Sequence, residues 1–142
     1  MTEPVEIPVV KRFGAADRLY VQAQQIWVIL TGFVMWHQHA GAAMPPTITY
    51  GDLALKMGHD DRRVGHTLAR QLGIVAQFCV RNDLPALNVI VVNQHTKMPG
   101  NDVIVRPGRT VHEEQTEVFG TDWYSLRVPT TGTFRKVWEA GE

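Results

Sequence analysis

Thr49-Tyr50-Gly51-Asp52-Leu53-Ala54-Leu55-Lys56-Met57-Gly58-His59-Asp60-Asp61-Arg62-Arg63-Val64-Gly65-His66 reads as a short helix, a tight turn and the start of a longer helix. Thr49 is placed to accept from the backbone N–H three residues on, with Asp52 reaching back, a capping box in which Asp stands for Glu. Leu53, Leu55 and Met57 are apolar, and Gly58 ends the element. Asp60 or Asp61 then caps a helix predicted to run to about Arg81, with Val64, Leu68, Leu72, Val75, Phe78 and Cys79 as its buried stripe. Two helices joined by a Gly-His-Asp turn make a helix-turn-helix.

Upstream, Leu19, Ile26, Ile29, Leu30, Phe33 and Val34 recur at helical spacing, so a helix is expected from Asp17 to about His39. Trp27 and Trp36 widen its apolar side and predict cover on more than one flank. Residues 1–14 hold Pro4, Pro8 and Gly14 and read as an extended arm. Downstream, Leu87-Asn88-Val89-Ile90-Val91-Val92 is rich in β-branched residues and predicts a strand. Met98-Pro99-Gly100-Asn101-Asp102 is a turn cluster, and Val103-Ile104-Val105 offers a short return strand. A short amphipathic helix follows over Val111–Phe119, then aromatic mass at 122–126 and a late Phe134–Trp138 segment. The expected fold class is therefore mostly α with a small β-wing: a winged helix-turn-helix over 15–107, an N-terminal arm over 1–14 and a C-terminal extension over 108–142.

The third helix carries the informative constellation. Arg63, His66 and Arg70 fall at i, i+3 and i+7, with Arg62 at the start, and are expected to form one exposed basic ridge opposite the apolar stripe. Gly65 within it costs about 1 kcal/mol relative to Ala. That cost makes sense if another surface approaches the backbone closely. The plainer alternative is a solvated charged face with a glycine that accommodates packing.

Global composition limits the choices. The 142 residues fit one domain, with 44% apolar and 20% charged residues. Lys+Arg and Asp+Glu each number 14, so any nucleic-acid surface is a local patch rather than an overall basic excess. The single cysteine, Cys79, excludes an intramolecular disulfide and a Cys-rich zinc site, and its apolar spacing predicts a buried, inert thiol. No secretory signal or membrane-length apolar run is visible, so a cytoplasmic protein with no membrane partner is expected. His37-Gln38-His39 diverge on a helix and predict no metal. Asn93-Gln94-His95 reads as a polar turn, and Glu113, Glu114 and Glu117 as a solvated face. Trp123, Tyr124 and Trp138 read as packing residues. With no nucleophile–base pair and no phosphate-cradling loop, neither catalysis nor a cofactor is expected.

Three segments together resemble the DNA-binding half of the O6-alkylguanine DNA alkyltransferases and the alkyltransferase-like proteins. They are Thr47–Ala54, Arg62-Arg63-Val64-Gly65-His66-Thr67-Leu68 and Asn82-Asp83-Leu84-Pro85-Ala86-Leu87, and the match spans roughly residues 47–92. The resemblance implies a minor-groove, DNA-repair type of role. Tyr50 would press on the phosphate beside the target nucleotide, Arg62 would take the place of a flipped base, and Gly65 would let the helix lie close to the groove. Arg63, His66 and Arg70 would then contact phosphates. The family's Pro-Cys-His-Arg nucleophile motif is missing, because Val89-Ile90-Val91-Val92 stands there with Ile90 nearest the cysteine position. Alkyl transfer is therefore not expected, and double-stranded DNA is the expected partner of a non-catalytic protein. A winged helix turned toward a protein partner is the alternative.

Overall fold

The computed structural model describes residues 3–38 and 45–141. It is mostly helical with one small sheet: α1 Arg18–His37, β1 Ile48–Thr49, α2 Tyr50–Lys56, α3 Ala69–Arg81, β2 Val91–Val92, α4 Val111–Phe119 and α5 Thr131–Ala140. Residues 3–14 are exposed and carry no regular structure.

Helix α1 forms the spine. Ala23, Ile26, Trp27, Leu30, Thr31 and Val34 are buried along one side, and this side packs on α3, α5 and α4. Trp27 sits edge-on to Phe78 at 5.4 Å and to Trp123 at 5.6 Å, while Phe78 meets Phe134 at 5.7 Å. These aromatic pairs join α1, α3, α5 and the 122–126 segment into one core. Trp36 departs from expectation: it is 83% exposed, so the C-terminal half of α1 is covered on one flank only.

Threonines set three helix starts. Thr49 accepts from Asp52 N at 3.1 Å, Thr110 forms a full capping box with Glu113, and Thr130 accepts from Thr133 N. The Thr49 box is only half made, since the Asp52 carboxylate turns to Arg62 instead. After α2 the chain reverses through Gly58 at φ +96, a left-handed conformation that favours glycine.

The single helix predicted from Asp60 or Asp61 to Arg81 is two elements. Arg62–Thr67 is a 3-10 turn capped by the Asp61 carboxylate, and α3 begins only at Ala69, after Leu68 leaves helical geometry. The predicted strand over 87–92 is also mostly something else. Leu87–Ile90 is a fully buried 3-10 turn, and only Val91 and Val92 pair as a strand. Their partner is β1, in parallel register with Ile48 opposite Val91 and Thr49 opposite Val92. A parallel pair requires a crossover connection, here supplied by α2, the 3-10 turn and α3. No return strand forms at 103–105, whose half-buried side chains lie against the core, so the expected β-wing hairpin is not made. Helices α4 and α5 add Val118 and Phe134 to the same core as α1 and α3.

One buried ionic cluster fastens the second half of the chain. Glu114, on α4, is fully buried rather than part of a solvated face. It accepts from the Arg106 backbone N–H at 2.8 Å, from Arg106 Nε at 3.0 Å and from the Ala86 N–H at 3.3 Å. Arg106 also reaches Glu117 at 2.5 Å and the Asp83 carbonyl at 3.3 Å. The carboxylates around Arg106, Glu114 first, raise its pKa. The clamp holds the chain end of α3, the 103–109 loop and α4 together, and so positions the 84–92 segment beneath the candidate site.

Candidate functional site

Tyr50 opens α2, half-buried, and its hydroxyl accepts from the Gly100 N–H at 2.8 Å. This bond ties the 98–103 loop to the start of α2. Arg62 and Arg63 follow the Asp61 cap and are exposed, but neither is free. Arg62 pairs with Asp52. Arg63 closes a fork on Asp61, with Nη2 to Oδ2 at 2.8 Å and Nε to Oδ2 at 3.1 Å. That fork, together with the Arg63 backbone N–H, lowers the Asp61 carboxyl pKa and raises that of Arg63. Both pairs are solvent-screened, and exposed pairs of this kind contribute little to stability. A phosphate could exchange for either carboxylate at small cost.

Gly65 is buried. A Cβ there would stand 2.5 Å from the Tyr50 carbonyl carbon and 2.9 Å from the Gly51 nitrogen, with the Tyr50 oxygen closer still. The close approach that the glycine permits is therefore internal: the start of α2 lies directly on the 3-10 turn. This internal packing accounts for the glycine without a groove contact.

The three-residue ridge is likewise reorganised. In a 3-10 turn, residues i and i+3 eclipse, which sets Arg63 and His66 above one another. Arg70 belongs to the separate helix α3, beyond the break at Leu68, so it does not continue their row at helical spacing. His66 and Arg70 are both exposed. Of the six residues, the structure brings Tyr50, Arg62, Arg63 and His66 around one surface cleft of about 200 Å³, together with Asn93, Gln94 and His95.

The Asn93–Met98 turn is the part of this surface that sequence spacing did not connect to the basic residues. Asn93 Oδ1 accepts from His95 N at 2.8 Å and Thr96 N at 3.3 Å, and Lys97 takes φ +59. It is a polar turn, as expected, but packed beside the basic residues. Its signal in the sequence was the histidine and lysine flanking a turn, His95 and Lys97.

A second cleft, of about 230 Å³, lies on the other side of Tyr50 and His66, between α3 and the 100–103 loop. Asn88 lines it from below. Within the β-branched run it is a lone amide among Leu87, Val89 and Ile90.

The remaining chemistry-bearing residues fall outside this surface. Cys79 is wholly buried, and burial first of all pushes its thiol pKa up to about 12, so no thiolate nucleophile is on offer at neutral pH. Ile90, at the position of the resembled family's nucleophile, is also wholly buried. The His37-Gln38-His39 reading lies partly outside the described residues, since His39 is not among them; His37 packs on Phe33 at 4.4 Å. Trp123 is core, with Nε1 donating to the Val118 carbonyl at 2.8 Å, and Trp138 packs over Gly73. Tyr124, expected to pack, is 71% exposed. No helix is long and apolar enough to cross a membrane among the described residues. Compared with known proteins, the chain matches no family model, no curated protein and no solved structure.

Proposed function

We propose that the protein is a non-catalytic, double-stranded-DNA-binding protein of the alkyltransferase-like, winged helix-turn-helix kind, acting in the cytoplasm. The surface around Tyr50, Arg62, Arg63 and His66 would meet the duplex from its minor-groove side. The observation that carries the reading is the convergence of two arginines and two histidines, His66 and His95, on one cleft beside the Tyr50 ring, in a chain of zero net charge. In this reading Arg62 leaves Asp52 to enter the groove, Arg63 leaves Asp61 for a phosphate, and Tyr50 braces the neighbouring phosphate. Arg70 adds a peripheral phosphate contact from α3. The parallel β1–β2 pair stands in place of a wing hairpin, and Gly65 serves by seating α2 against the turn.

Fluorescence anisotropy with a short labelled duplex, titrated at several salt concentrations, tests this. Binding should weaken with salt, and Arg62→Ala and Arg63→Ala should each lower the slope of log K against log salt by about one unit. Binding curves unchanged by both substitutions would remove the assignment.

A protein-interaction module is the second reading, favoured by one observation. Val28 and Trp36 are exposed apolar side chains beside one another on α1, Trp36 at 83% exposure, and Leu55 is exposed on α2. A partner retained on the protein after nuclease treatment, and lost in Trp36→Ser, would favour it over DNA.

A further inference from the structure

The arm segment Glu3-Pro4-Val5-Glu6-Ile7-Pro8-Val9-Val10-Lys11 lies outside the fold, yet it is not composed like a solvated tail. Val5, Ile7, Val9 and Val10 each keep 78–86% of their surface exposed. A segment this apolar that covers nothing in its own chain points to a partner surface. Its pattern is that of a strand. Val5, Ile7 and Val9 alternate with Glu6 and Pro8, so an extended arm sets the three on one face.

The prolines select one edge of that strand. Along a strand, the N–H groups of alternate residues point to opposite edges. Pro4 and Pro8 fall on the same edge and have no N–H to give, which blocks it for pairing. The other edge, with the backbone groups of Glu3, Val5, Ile7, Val9 and Lys11, is complete. Charge then selects the partner and the register. Two copies of the arm run antiparallel, with Ile7 opposite Ile7, place Val5 opposite Val9 and Glu3 opposite Lys11, so both ends carry an opposite-charge pair. The neighbouring registers that use the same edge set Glu6 against Glu6, or Lys11 against Val5.

A two-stranded ribbon needs an apolar cover to persist. Helix α1 exposes Val28 and Trp36 along a groove of about 580 Å³ shared with Ile29 and Phe33, with Lys56 at its rim. The chain from Ile7 to Ala15 reaches at most about 26 Å at about 3.3 Å per residue. Val28 and Trp36 stand about 15 and 27 Å along α1 from Arg18 at about 1.5 Å per residue. The centre of the ribbon can therefore lie over the groove.

We propose that the protein forms a homodimer through its arms: residues 3–11 of two copies pair as an antiparallel ribbon centred on Ile7, and the Val5, Ile7, Val9 face of the ribbon lies on the Val28 and Trp36 surface of α1. A twofold axis passes through the Ile7 pair, so the contact is closed, and the prolines keep a third strand from adding. The interface uses none of the residues of the basic cleft. Its test contains no DNA and no other protein, so this proposal and the DNA reading can fail independently.

Sedimentation equilibrium of the full chain, from micromolar to submillimolar concentration, tests this. The mass should rise with concentration toward twice the 16.0 kDa of one chain. Ile7→Pro removes the central N–H from the pairing edge at a residue that stays out of the core, so the circular dichroism of the folded body should be unchanged while Kd rises at least about tenfold. Glu3→Lys and Lys11→Glu each set like charges opposite one another and should each weaken the dimer. An equimolar mixture of those two proteins should recover it, because the mixed pair has opposite charges at both ends. Trp36→Ser should weaken the dimer by uncovering the ribbon. A parent chain that stays monomeric at submillimolar concentration would overturn the proposal. So would a dimer that survives Ile7→Pro or Trp36→Ser unchanged, or a mixture of the two charge variants no heavier than either alone.

Discussion

Replacing Gly65 with alanine separates two roles for this residue. The added methyl would meet backbone, the Tyr50 carbonyl carbon at 2.5 Å and the Gly51 nitrogen at 2.9 Å, against the 3.4 Å where ordinary contact begins. Neither atom belongs to a side chain that can rotate away, so the start of α2 must retreat by roughly 0.9 Å, the difference between those two distances. Overpacking of this kind costs about 1–3 kcal/mol, and backbone neighbours put the cost at the upper end. Restricting the unfolded chain returns about 0.4–1 kcal/mol. The net expectation is a loss of about 2 kcal/mol, or a fall in Tm of roughly 6 °C for a chain of this size. Urea denaturation with linear extrapolation measures it, the midpoint moving with little change in slope. Gly32→Ala is the matched control: no atom lies within 4 Å of its Cβ position in mid-α1, so that substitution should stabilise by about 0.5–1 kcal/mol. A Gly65→Ala protein as stable as the parent would refute the packing argument. If it also lost affinity for DNA, the groove-approach role would be restored.

Glu114→Ala should destabilise by about 3–5 kcal/mol in the same assay, because it strips Arg106 of its main buried partner and leaves the Arg106 and Ala86 N–H groups without an acceptor. Cys79 should be inert to a thiol-reactive disulfide reagent in the native protein and react at the unfolding rate or in urea. The folded thiol is held at about 12 against an ordinary 9.0, so between those values the unfolded chain binds fewer protons than the folded one. Stability should therefore fall as pH rises above about 9, and Cys79→Ala should remove that part of the fall. Asp52→Asn frees Arg62 and deletes an acidic charge beside it; under the DNA reading it should tighten duplex binding at low salt, and weaker binding would count against Arg62 as the inserted residue.

The elements that local chemistry specifies were legible from the residues themselves. Thr49 marked the start of α2, Gly58 its end, and the amphipathic pattern over 111–119 gave the bounds of α4. Where prediction and structure part, a tertiary contact made the difference. The helical period runs unbroken through 62–81, yet the docking of Tyr50 and Gly51 on Gly65 holds residues 62–67 in a tighter turn, and nothing in the spacing announces that contact. β-branched residues at 87–92 signalled burial, which is what they obtain; most of the run is buried as a 3-10 turn, and only its last two residues find a strand partner. Glu113 and Glu114 look alike in sequence, but one caps its helix in solvent and the other is buried because Arg106, eight residues upstream, folds back onto it. At the candidate site, Arg62, Arg63 and His66 were readable from spacing as one ridge, whereas the exclusion of Arg70, the nearness of Tyr50, the carboxylate partners and the nearby 93–98 turn depended on the folded chain.

The position of α5 has a bearing on how the chain is made. Phe134 has no exposed surface and packs against both Trp27 and Phe78, and the Gln24 side chain donates to the Pro129 carbonyl 105 residues further along. During synthesis Trp27 can meet Phe78 and Trp123 as soon as those are made, but its Phe134 flank stays open until α5 has been translated. Until then the Trp27–Phe78 pair presents one open aromatic edge, a natural place for a chaperone to hold. Closure of this aromatic cluster then waits on the arrival of a single phenylalanine.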